Sequence, residues 1–196
     1  MRFFRESVAI PAWTGQGVLP PVGGADALSF ERSPYIVRLT DYVLRFGVTP
    51  ERQAILDGLF RYRAALHEVG FLSGFQWLDG SFLEQVEQTE GRPPNDIDVV
   101  TFFRLPPGIS QEALAIKAGA LLDGDKVRSA FHVDGYFVHL GMDAERLTWQ
   151  SAYWYGVWSH RRNQLWKGFV QVDLAPTEDE SAAATLASLS SIGERP

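Results

Sequence analysis

The sequence predicts an α/β protein, a small mixed β-sheet flanked by helices. Short runs of β-branched and aromatic residues, Phe75 to Leu78, Ile97 to Phe103, Ala130 to Leu140 and Val170 to Leu174, read as strands. They alternate with segments whose apolar residues recur at three- and four-residue spacing, the period of a helix with one buried face. The composition agrees: 196 residues, 45% hydrophobic and 21% charged, make one globular domain with decoration at its ends.

Residues 1–33 are punctuated by Gly15, Gly17, Pro20, Pro21, Gly23 and Gly24 and read as an extended arm lying over the fold. The domain proper is expected over 34–176. From Pro34 to Phe46 the spacing of Tyr35, Ile36, Leu39, Tyr42, Val43 and Phe46 predicts a helix that stops at Gly47. The next helix has Thr49 as N-cap, Pro50 at its first position and Gly70 beyond its end. Its buried stripe is Ile55, Leu56, Leu59, Phe60, Leu66 and Val69. After the strand at 97–103, Ser110 caps a helix running to about Leu122, with Ala113, Leu114, Ile116, Ala120 and Leu121 as apolar positions. Asp123-Gly124-Asp125 then turns the chain into the strand at 130–140. Residues 148–169 hold four of the six tryptophans and predict an aromatic helix packed on the sheet, with His160, Arg161 and Arg162 at its foot. Residues 177–196 form a tail, with a capping box at Thr177 to Glu180 ahead of a peripheral helix over Ala182 to Leu189.

Chemistry concentrates between Phe75 and Phe103. The first strand ends in Asp79-Gly80-Ser81, a pair that lets the backbone turn sharply and bring N–H groups and a hydroxyl up to an anion. The second opens at Asn95-Asp96-Ile97-Asp98. Residues i and i+2 of a strand share a face, so Asp96 and Asp98 lie side by side. Their mutual repulsion calls for a cation, and Mg²⁺ suits two carboxylates completed by substrate phosphates. Asp134 interrupts an apolar strand and requires either an exposed edge or a charged partner. Asp173, in Val172-Asp173-Leu174, sits in a strand in the same way. Arg161 and Arg162 carry forks suited to phosphate oxygens, as suited to that role as to a solvated helix end. His160 receives no acid–base role.

The order strand, Gly-Ser, spacer, Asp-Ile-Asp, strand resembles the signature of the nucleotidyltransferase superfamily, the group with DNA polymerase β-type palm domains. The segments GFQWLDGSF, RPPNDIDVVTF, VDGYFV and YWYGVWSHRR together are similar to a bacterial family of nucleotidyltransferase-like proteins without an assigned reaction. The resemblance implies transfer of a nucleoside monophosphate from an NTP to a hydroxyl of a protein, RNA or small molecule. It assigns two Mg²⁺ (or Mn²⁺) ions to Asp96, Asp98 and a third carboxylate, for which Asp134 is preferred over Asp173. Gly80 and Ser81 would hold terminal phosphates, with Arg161 and Arg162 as neutralisers. One departure is visible: the spacer from Ser81 to Asp96 is longer than the family's usual one, so Glu84 to Pro94 is expected as a polar loop beside the site.

Two other readings stay open. A nucleotide-sugar glycosyltransferase also uses Asp-x-Asp, but leaves Gly80-Ser81 unexplained. A catalytically silent fold retained as a binding module, of toxin–antitoxin or phage-defence type, is the third. Zero cysteines exclude disulfides and thiolate catalysis. A net charge of −6 argues against non-specific DNA binding, which draws on clustered Lys and Arg. With no signal-like start and no candidate span, the expectation is a cytoplasmic protein without membrane contact.

Overall fold

The computed structural model describes residues 7–24, 26 and 28–193; the first six residues of the expected arm and the last three of the tail lie outside the described residues. Five strands, β1 (Tyr35–Ile36), β2 (Gly74–Asp79), β3 (Ile97–Phe103), β4 (Val133–His139) and β5 (Val170–Asp173), form one mixed sheet in the order β1-β5-β2-β3-β4. β1 with β5 and β3 with β4 run parallel, and β2 is antiparallel to both its neighbours. The helices are α1 (Leu39–Phe46), α2 (Pro50–Val69), α3 (Val86–Thr89), α4 (Gln111–Ala118), α5 (Gly124–Phe131), α6 (Ala144–Trp158) and α7 (Asp179–Gly193). None among the described residues is long and apolar enough to cross a membrane.

α2 is the long support on one face. Thr49 accepts a hydrogen bond from the Arg52 N–H at 3.3 Å, Pro50 opens the helix, and Gly70 ends it at φ +112°. Ile55, Leu56, Leu59 and Leu66 are buried as expected, with Phe60 and Val69 half-buried. The helix also buries two arginines, Arg52 and Arg63, whose spacing from Ile55, Leu56, Leu59 and Leu66 puts them on the same face although their charge does not suggest burial. Arg63 reaches through the core to Gln76 Oε1 at 2.5 Å and grips the Asp179 carboxylate of α7 at 2.7 and 2.8 Å. α7 is therefore tied to the core, with Ala182 and Leu186 buried against it. α6 covers part of the opposite face, where Trp158 and Tyr155 meet Phe169.

Several expectations are corrected. Residues 35–36 are strand, because the Tyr35 and Val37 N–H groups bond to the Phe169 and Gln171 carbonyls; the helix begins at Leu39. Residues 124–131 are helix, since Asp123 accepts from the Lys126 N–H at 3.3 Å and caps it; β4 starts only at Val133. The helix from Ser110 is α-helical only to Ala118 and ends in a 3₁₀ turn over Gly119–Leu122. Of its expected apolar positions Leu114 alone is buried, and Ile116 is exposed. The spacer at 84–94 contains α3, and Glu84 and Val86 are buried in it. Glu178 caps the start of α1, accepting from the Leu39 N–H at 2.7 Å, where a capping box for α7 was expected.

Candidate active site

The register of three adjacent strands builds the site. Asp79 at the end of β2 pairs with Asp98 of β3, and Asp98 pairs with Asp134 of β4. Directly paired residues project to the same face, so these carboxylates form a row across strands about 4.8 Å apart. Asp96, two positions before Asp98, shares that face. The structure thus brings together Asp96, Asp98 and Asp134 and adds Asp79. Asp173 pairs with Phe75, roughly four residues or about 13 Å along β2 from Asp79. Its carboxylate accepts the Ala175 N–H at 2.9 Å and closes a turn at the far end of the sheet.

Gly80 stands directly against the row. Its φ of +89° is one that side chains rarely adopt, and a Cβ there would lie 2.8 Å from Asp98 Oδ2. Only glycine lets the end of β2 approach this closely. The turn that follows, Ser81–Leu83, is held from below by Arg52, which donates to the Phe82 and Glu84 carbonyls at 2.6 Å and to Glu87 at 2.6 and 2.9 Å. The Ser81 hydroxyl is half-buried and makes no side-chain hydrogen bond among the described residues.

Two cation systems flank the row. On the inner side the buried Lys167 ammonium donates to both Asp79 oxygens at 2.8 Å and pairs with Glu84 at 3.2 Å. Burial pulls the Lys167 pKa down, but Asp79 and Glu84 outweigh it and hold the ammonium charged. Burial pushes the Asp79 carboxyl up to about 6 against the pull of Lys167. Arg161 extends the chain, binding Glu84 through Nε at 2.7 Å and lying 3.6 Å from Glu90. On the outer side Arg128 of α5 pairs with Asp96 at 3.3 Å and with Asp134, and the Tyr136 hydroxyl donates to Asp134 at 3.1 Å. Asp98 lies between these systems and makes no hydrogen bond or ion pair through its side chain among the described residues. Burial, then the charges of Asp79, Asp96 and Asp134, push its carboxyl up to about 7, with Lys167 pulling the other way.

The predicted basic pair is not assembled as a phosphate clamp. Arg161 is committed to Glu84, while Arg162 is exposed and makes no ion pair among the described residues. Sequence reasoning missed Asp79, Glu84, Arg128 and Lys167. For Asp79 a signal existed: it closes a strand immediately before Gly80 and must face a neighbouring strand's end. No local signal marks the others.

Among the described residues, no group of three or more His, Asp and Glu side chains converges to hold a metal ion. A divalent cation completed by phosphates needs only one or two carboxylates, and the donors here are all hard oxygens. The unpartnered, half-buried Asp98 among three other carboxylates fits such an ion. Arg128 meets the same need for positive charge at Asp96 and Asp134.

Fold and site together define an α/β protein with a register-locked acidic row at one end of a mixed sheet. The chain belongs to DUF6932, a family of unknown function whose model matches residues 11–173 and so takes in every strand and the whole row. No curated protein and no solved structure matches it.

Proposed function

We propose that this protein is a metal-dependent nucleotidyltransferase, which moves a nucleoside monophosphate from an NTP to a hydroxyl of a protein, RNA or small-molecule acceptor. The observation that carries the reading is the row itself: Asp98 and Asp134 locked in register with Asp96 beside them, against a glycine turn stripped of side chain. Asp98, joined by one neighbour of the row, Asp96 or Asp134, would hold Mg²⁺, whose chemistry when bound is to neutralise charge on the attacking and leaving oxygens of an in-line displacement. The acceptor oxygen bonds to the α-phosphorus as the α–β bridging bond breaks. Pyrophosphate leaves, and the hydroxyl proton passes to a carboxylate of the row. Gly80 and Ser81 offer the close backbone approach for terminal phosphates. Lys167 and Arg52 keep that turn rigid from the buried side.

The Arg128 ion pairs favour one second reading, a retained fold whose acidic row is neutralised internally and which acts as a binding module. Calorimetric titration of the four NTPs with Mg²⁺ separates the two. Metal-dependent binding by the wild type, lost in Asp96→Asn plus Asp98→Asn, supports the transferase. Absence of NTP binding by the folded wild type supports the module.

A further inference from the structure

α6 presents an unusual surface. From Thr148 to Trp158 it carries no charged residue, although much of this helix faces solvent. Trp149 is 63% exposed and Tyr153 49% exposed, one helical turn apart, with their rings stacked at 13° and 5.5 Å. Tyr153 abuts Trp154 edge to face, and Trp154 lies under Tyr136 at 4.5 Å between ring centroids. Tyr136, 37% exposed, ties this strip to the acidic row because its hydroxyl donates to Asp134. An exposed helix face ordinarily carries charge, and buried aromatic rings ordinarily belong to a core. These rings are neither buried nor interrupted by charge, and they end at a carboxylate of the row.

We propose that Tyr136, Tyr153 and Trp149 form a ledge on which the planar base of a nucleotide stacks while its phosphates lie along the row. The inference rests on the nucleotidyltransferase reading of that row. Stacking on such rings tolerates any base, because every base has a π-face, so the ledge supplies affinity more than base choice. Tyr136, Tyr153 and Trp149 carry no charge themselves, and the glycine turn and the proposed metal ligands stand beyond Tyr136 along the paired strands.

The test compares ATP, GTP, CTP and UTP with inorganic tripolyphosphate, each titrated with Mg²⁺ into the wild type, Trp149→Ala plus Tyr153→Ala, and Asp96→Asn plus Asp98→Asn. Trp149 and Tyr153 are both exposed, so the ledge variant keeps the core intact. The expected result is that the wild type binds nucleotides about 10-fold or more tightly than tripolyphosphate, in keeping with base stacking. The ledge variant then binds nucleotides only as tightly as tripolyphosphate, with its tripolyphosphate affinity unchanged. Row-dependent tripolyphosphate binding with nucleotide affinity untouched by the ledge variant overturns the ledge alone. Nucleotide binding lost in the ledge variant but retained in the Asp variant keeps the ledge and overturns the row reading. No binding of either ligand by the wild type overturns both.

Discussion

Asp98 shows how one residue can be costly to the fold and useful to a site. It sits among Asp79, Asp96 and Asp134, whose charges Lys167 counteracts at that carboxyl. Its folded pKa of about 7 lies above the roughly 3.9 of an unfolded aspartate. Between those values the folded state keeps a proton that the unfolded state releases, so this group's contribution to stability is present at low pH and is lost as pH rises toward 7. Metal-free Asp98→Asn is expected to gain stability relative to the wild type as pH goes from 4 to 8, measured as denaturant midpoints. A constant difference across that range contradicts the arrangement. Lys167 is the opposite case, a buried charge with both of its partners. Lys167→Met leaves Asp79 and Glu84 buried without it and is expected to cost about 3–5 kcal/mol in chemical unfolding. A loss below about 1 kcal/mol would mean that the ion pairs are not formed.

At the scale of elements, the strands at 75–78 and 97–103 were legible because they are short, apolar and bounded by turn residues, and β3 has the expected limits. The same two-residue period places Asp96 beside Asp98, so half of the row is local information. The other half is pairing. Asp79 meets Asp98 only because β2 returns antiparallel, and Lys167 meets Asp79 across 88 positions of sequence. Arg52 and Arg63 lie on the buried face of α2, but the acceptors that let them be buried, in the turn after Gly80 and in α7, are distant in sequence and were not legible. α5 was hidden by Gly124 at its start and by Phe131 at its end, which resembles the strand that begins at Val133. On α6 the pattern of aromatics was legible and its exposure was not, because periodicity does not say which side of a helix lacks a neighbour.

Across the whole molecule, the helices on one face and α6 on the other leave the end of the sheet that carries Asp79, Asp98 and Asp134 as the meeting point of every element the site needs. β2, β3 and β4 supply the row, α5 its internal cation, the segment after α6 the buried lysine, and α2 the floor of the turn. The net charge is −6, and the cations beside the row, Arg128 and Lys167, are already paired with carboxylates rather than open to phosphates. Under the proposed function the row is a divalent-cation site in which Arg128 is the resident competitor. Mn²⁺ titration followed by electron paramagnetic resonance, with and without tripolyphosphate, tests it most directly in the wild type, Asp98→Asn and Arg128→Ala. Mn²⁺ is expected to bind the wild type, not to bind Asp98→Asn, and to bind Arg128→Ala, where the competing ion pairs are gone, roughly 5-fold or more tightly than the wild type. Retention of the free-ion spectrum by both the wild type and Arg128→Ala, with tripolyphosphate present, would contradict it.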